Sequence, residues 1–255
     1  MLLIKRLAIW MLGSLLLSTV NGAAHAETIH AAVAANFTAA MKEIAEQFER
    51  NTDHTVILSF GSSGKIFAQI QHGAPFQVFL SADQTKPEAL EKSKLSVVGS
   101  RFTYAVGALA LWSSKPGFID NEYSVLKNAK FNKLALANPK LAPYGSAAVQ
   151  VLTALKLKHA TEPLWVMGEN IAQTYQFVGS GNADLGFVAL SQIMDKGQLK
   201  DGSAWVIPAA LYTPIRQDAV LLSHARESIG AKALLAFLRS PEAQEIIHAY
   251  GYTTD

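Results

Sequence analysis

Ile29-His30-Ala31-Ala32-Val33-Ala34-Ala35-Asn36-Phe37 and Val56-Ile57-Leu58-Ser59-Phe60-Gly61-Ser62-Ser63-Gly64-Lys65 share one plan. Each is an apolar, β-branched run, then a turn of small residues, then a side chain able to cap a helix. A helix opened this way leaves its first backbone N–H groups without partners inside the helix. Together with the positive end of the helix dipole, such groups bind anions. Two such turns so near each other predict a site for a small oxyanion on an α/β scaffold.

The alternation continues outward. Phe37, Met41, Ile44 and Phe48 recur near helical spacing and predict an amphipathic helix ending near residues 51–53. Residues 55–60 read as a buried strand. A helix after Ser63 turns Ile66 and Ile70 inward and stops at Gly73. Residues 76–81 read as a strand, and Asp83 caps a helix beginning at Lys86-Pro87. The pattern then restarts, with one long apolar strand over 104–113 and strands at 133–138, 166–167, 183–190, 204–207 and 219–222. Helices are expected at 146–157, 171–177, 229–238 and 241–250, the first opened by Pro143-Tyr144-Gly145 and the second by Asn170. This order predicts mostly parallel sheets flanked by helices. The strand–turn–helix unit occurs twice in each half, so two lobes would bring four turns to one cleft, beyond the carboxyl ends of the strands.

Composition narrows the function. Lys5 and Arg6, an apolar run over 7–17 and Ala24-His25-Ala26 predict a signal peptide over residues 1–26. The apolar run is shorter than a membrane span needs, which ranks export above anchoring. The absence of Cys excludes disulfides, a lipidated Cys and thiolate metal sites. The chain has 22 basic and 20 acidic residues, and loss of Lys5 and Arg6 leaves them balanced. A neutral protein steers an anion weakly over long range, so local donors must hold it. No basic, aromatic-interleaved stripe points to nucleic acid.

Catalysis is not expected. The chain lacks a G-x-S-x-G elbow, an H-E-x-x-H helix and a phosphate-binding G-x-x-x-x-G-K-[ST] loop. No two of its seven His are spaced for a helical metal site. Asp83 and Asp184 read as turn buttresses rather than as an acid–base pair. Taken singly, each turn could be an ordinary helix start. Ser62 is the expected cap of its helix, which frees the Ser63 hydroxyl for the cleft. Tyr144 and Ile171 draw attention by position, as first-turn residues whose backbone N–H groups point outward.

An ordered set of motifs carries a resemblance over essentially the whole mature chain: Ala34-Ala35-Asn36-Phe37, Phe60-Gly61-Ser62-Ser63-Gly64, Phe79-Leu80-Ser81-Ala82-Asp83, Pro143-Tyr144-Gly145, Gly168-Glu169-Asn170-Ile171, Ala183-Asp184-Leu185-Gly186-Phe187-Val188 and Tyr250-Gly251-Tyr252. In this order the chain resembles the periplasmic molybdate-binding proteins. The resemblance implies a two-lobed type II periplasmic binding protein fold with two crossover strands as hinge. It places lobe 1 at 27–104 and 215–255 and lobe 2 at 105–214. It also implies a monomer without cofactor that delivers molybdate or tungstate to the membrane permease of an ABC importer. Asn36 and Ser63 match the family's donors from the first lobe, with Ala35 adding a backbone N–H. Tyr144 and Ile171 match its backbone donors from the second. Some members use a Tyr hydroxyl where this chain has Ala189, and Asn36 would compensate. Phe76-Gln77 stands where the family usually has an Asp before the strand.

The chemistry agrees. Molybdate and tungstate are fully deprotonated dianions at neutral pH, so a matching site presents donors only and no direct cation ligands. A carboxylate there would favour a protonated ligand such as hydrogen phosphate. Sulfate is the alternative oxyanion, set apart by its shorter bonds and hence by cavity size. An iron-binding relative would need Tyr and His clusters.

Overall fold

The computed structural model describes residues 26–195 and 197–254. All but the last residue of the expected signal peptide lies outside them. Among the described residues no helix is long and apolar enough to cross a membrane.

The first strand, β1 (Thr28–Ala34), runs through the 3-10 turn Ala35–Phe37 into α1 (Thr38–Asn51). That helix buries Met41, Ile44 and Phe48, the face its spacing predicts. Then come β2 (Thr55–Gly61), α2 (Ser63–Gln71), β3 (Val78–Leu80), α3 (Thr85–Lys92) and β4 (Phe102–Gly107). A second series follows: β5 (Leu109–Ser113), α4 (Ser124–Lys127), β6 (Leu134–Ala137), α5 (Pro143–Ala154), α6 (Lys158–Thr161), β7 (Trp165–Gly168), α7 (Ile171–Gly179), β8 (Leu185–Ala189) and α8 (Leu190–Ile193). A small hairpin, β9 (Met194–Asp195) and β10 (Gln198–Leu199), leads to β11 (Ser203–Val206). The chain closes with β12 (Ile215–Leu221), α9 (Ile229–Phe237) and α10 (Pro241–Ala249).

Two five-stranded sheets result, in the orders β2-β1-β3-β12-β4 and β11-β5-β8-β6-β7. Register decides where the turns emerge. Strands β1 and β2 run parallel from Thr28↔Thr55 to Ala34↔Gly61, so the turns at 35–37 and 62–63 leave the sheet side by side. Strands β6 and β7 run parallel from Leu134↔Trp165 to Ala137↔Gly168 and do the same for the starts of α5 and α7. Each sheet has its own core, with Ile29, Phe37, Ile44 and Phe48 in one and Leu134, Leu136, Leu152 and Phe187 in the other. Burial of each such side chain contributes about 1.5–3 kcal/mol. Ala34, Ala35 and Ala82 from the first sheet's turns pack into the second core, so the lobes touch at the turns.

The expected strand over 104–113 is two strands in different sheets, broken at Ala108. Both halves are apolar, so hydropathy carries no sign of the break. Gly107 is where it becomes physical, because a Cβ there would stand 2.0 Å from the Tyr144 hydroxyl. The sheets are also mixed, since β12 runs antiparallel to β3 and β4, and β5 antiparallel to β8 and β11. In β12 the register shifts between Gln217 and Asp218, and both consecutive side chains are buried, which strict alternation would not allow. Asp218 accepts from Arg101 at 2.7 Å, Thr103 at 2.7 Å and Gln84 at 3.1 Å. Asp218→Ala, which removes the acceptor these three donors share, is expected to cost about 1–3 kcal/mol of stability in urea unfolding.

Candidate functional site

Where the turns converge, one pocket is lined by Ala34, Ala35 and Asn36, by Gly61, Ser62 and Ser63, by Ala82, by Ala142, Pro143 and Tyr144, and by Asn170 and Ile171. The structure therefore brings all five expected residues, Ala35, Asn36, Ser63, Tyr144 and Ile171, to a single place. None of the lining side chains is ionised at neutral pH. Among the described residues no group of three or more His, Asp or Glu could hold a metal ion.

Local structure at each turn decides what faces the pocket. Asn170 caps α7 by accepting from the N–H groups of Ala172 and Gln173, both at 3.0 Å, which leaves the Ile171 N–H outside the cap. In α5 the first helical residue is Pro143, which has no N–H, and the Gly145 and Ser146 N–H groups both go to the Ala142 carbonyl. Tyr144 is left with a first-turn N–H to offer. Ser62 occupies the N-cap position of α2, but its hydroxyl makes no capping bond and is buried without a partner. The expected side-chain cap is thus not formed. The Ser63 hydroxyl accepts the Ala82 N–H at 2.9 Å, so its own hydrogen is available to a ligand.

Asn36 is tied down more heavily than its motif suggests. Its Nδ2 donates to Gln217 Oε1 at 2.7 Å and to the Tyr252 hydroxyl at 3.0 Å. Its carbonyl lies 2.8 Å from the Tyr252 hydroxyl and 3.1 Å from the Ser191 hydroxyl. Ser191 follows β8, so this knot joins the two lobes. Tyr104 adds its hydroxyl to Gln217 Oε1 at 3.1 Å. Burial pushes the hydroxyls of Tyr104, Tyr144 and Tyr252 well above the ordinary phenol range, so all three stay neutral. Ala189 is fully buried and offers only backbone. Gln192 bridges from it, accepting the Ala189 N–H at 3.0 Å and donating to the Ile171 carbonyl at 3.2 Å.

Gln217, Tyr104, Ser191 and Gln192 escaped the sequence reading. The one available signal was a Gln-Asp pair interrupting the entry to an apolar strand. Outside the pocket the lobes are clasped by a backbone bond from the Gly64 N–H to the Leu141 carbonyl at 2.9 Å and by an exposed Lys65–Glu169 ion pair at 3.1 Å.

Residues 29–253 match the family described as bacterial extracellular solute-binding protein. The chain is 57% identical over 230 residues to the molybdate-binding protein ModA of Azotobacter vinelandii, covering 90% of this chain and 91% of that one. It is 49% identical over 232 residues to ModA of Rhodobacter capsulatus, covering 91% and 90%. The solved structure of the A. vinelandii periplasmic molybdate-binding protein superposes with a TM-score of 0.86 at 42% identity, over 89% of this chain and 99% of that chain.

A Cβ added at Gly64 would stand 2.9 Å from the Leu141 carbonyl oxygen, closer than real side chains come. Gly64→Ala is expected to hold the lobes apart and weaken anion binding by about 1–3 kcal/mol, the cost of overfilling a packed contact, as read by calorimetry.

Proposed function

The chain belongs to the bacterial extracellular solute-binding proteins and, within them, to the molybdate-binding proteins, and we propose that it holds molybdate between its lobes and delivers it to the membrane permease of an ABC importer. The observation that carries this reading is a pocket fed by donors from both lobes and lined by no charged side chain. A fully deprotonated tetrahedral dianion presents acceptors on every face. The backbone N–H groups of Ala35, Tyr144 and Ile171, the Ser63 hydroxyl and the Asn36 turn can meet them. Each charge-assisted hydrogen bond contributes about 1.5–3 kcal/mol, without simple additivity.

Tungstate, nearly equal in size and charge, fits the same donors. Sulfate carries the same charge on shorter bonds, so its oxygens reach fewer of them once Gly64 and Leu141 meet. Residues 27–104 with 215–255 and residues 105–214 act as the two bodies that close on the anion. In support, β1 to β4 and β12 form one sheet and β5 to β8 with β11 form the other, although the 104/105 boundary falls inside β4, whose residues 105–107 pair with β12 in the first sheet. The protein works in the periplasm as a monomer, brought there by the signal peptide over residues 1–26.

Ser63→Ala removes one donor and the acceptor of the Ala82 N–H. It is expected to weaken molybdate by about 1.5–3 kcal/mol while tungstate and molybdate stay ahead of sulfate and phosphate. Isothermal titration with the four anions checks this, and unchanged molybdate affinity would remove Ser63 from the site. Affinity is also expected to be flat between about pH 6 and 9, because no lining group changes charge there. A titratable step in that range would place an ionisable group at the anion.

A further inference from the structure

Ser191 and Gln192 are neighbours in α8 and reach different donor turns. Ser191 is buried, donates its hydroxyl to the Asn36 carbonyl at 3.1 Å and lies 2.9 Å from the Tyr252 hydroxyl. Gln192 donates Nε2 to the Ile171 carbonyl at 3.2 Å. Asn36 and Ile171 both line the pocket, Asn36 after the first strand of one sheet and Ile171 at the start of α7 beside the other. One dipeptide therefore spans two of the turns that converge there. Both ties end on carbonyl oxygens, so neither uses an N–H that the anion needs.

The dipeptide is itself held. Gln192 Oε1 accepts the Ala189 N–H at 3.0 Å, which closes the start of α8. The Leu190 N–H donates at 2.9 Å to the carbonyl of Ala108, the residue at which the chain passes from one sheet to the other. Ile193 is buried in a cluster with Trp112 and Val178. Asn36 is fixed on its own side by Tyr252, whose hydroxyl lies 2.8 Å from its carbonyl oxygen. Adjacent Cα atoms stand about 3.8 Å apart in any arrangement of the lobes. The distance from Asn36 to Ile171 is thus set by two hydrogen bonds and a short stretch of covalent chain.

Resting on the reading of the pocket as a molybdate site, we infer that Ser191 and Gln192 are positioning residues, a spacer that sets the width of the pocket and so its preference for molybdate over sulfate. The two anions carry the same charge and differ in bond length, so size separates them. Hydrogen bonds keep to a narrow range of length and weaken steeply when bent. Donors held at a fixed separation suit the longer bonds and serve the shorter ones badly. Donors free to follow the anion serve both. Neither residue lines the pocket, so the effect passes through the turns.

Ser191→Ala and Gln192→Met cut the spacer at opposite ends, and calorimetric titration with molybdate and sulfate reads the result. The first variant leaves the Asn36 carbonyl its bond from Tyr252, and the second keeps the length of the side chain. Each is expected to weaken molybdate about threefold to tenfold, the size of one net hydrogen bond, while sulfate changes less, so the molybdate-to-sulfate ratio narrows. Two cuts in one spacer release no more than one, so the double variant is expected to match the weaker-binding single variant. An unchanged ratio, or a double variant whose loss is the product of the two single losses, would overturn the inference, because a merely structural role weakens both anions alike and adds up. Wild-type protein that prefers sulfate overturns the functional reading instead. The variants then still decide the spacer, which stands if they narrow that preference and falls if they leave it. Wild-type protein that binds neither anion overturns both.

Discussion

A dianion leaving water loses a full shell of hydrogen-bond donors, and a buried site must replace them without adding countercharge. Neutral donors in sufficient number are hard to concentrate, because each peptide offers one N–H and most are already committed to helices and sheets. Helix first turns are the exception. The architecture can be read as a device for bringing four of them to one point. Parallel strand pairs set two turns side by side in each lobe, and two lobes facing each other double the number. The helices are capped or opened so as to spend some donors and spare others. Asn170 takes two N–H groups and leaves Ile171's, and Pro143 removes one and leaves Tyr144's.

Neutrality has a second effect. A Lys or Arg in the pocket would bind sulfate, phosphate and molybdate with similar gain, because point charge reads charge first. Directional donors read shape and protonation state. The surrounding tyrosines, held neutral by burial, keep that character constant. Charged groups lie at the rim, where the Lys65–Glu169 pair is exposed and worth little by itself.

Much of this was legible in the chain. The strand–turn–helix units and the faces of α1 and α2 follow from local patterns, and the five expected site residues, matched through the family resemblance, line one pocket. What was not legible is long-range. The passage from β4 to β5 lies within one apolar run, and only the crowding of Gly107 by Tyr144, a residue far along the chain, shows where the lobes part. Ser62 has the position of a cap without its hydrogen bond, because its buried hydroxyl accepts no backbone N–H of α2. The knot around Asn36 draws on residues 104, 191, 217 and 252, and no window of sequence contains two of them. The bulge at Gln217 and Asp218, which buries two polar neighbours in succession, defeats the alternation rule by which a strand is read.

Tyr252 lies near the far end of the chain, yet it holds the turn that follows the first strand, and Thr253 pairs with Val106 beside it. Ribosomes and export channels deliver a chain from its first residue to its last. The first turn of the pocket therefore emerges early and waits for 216 further residues before its anchor arrives. Assembly of the site is tied to the delivery of Tyr252, so a chain not yet delivered that far has no finished trap for the anion.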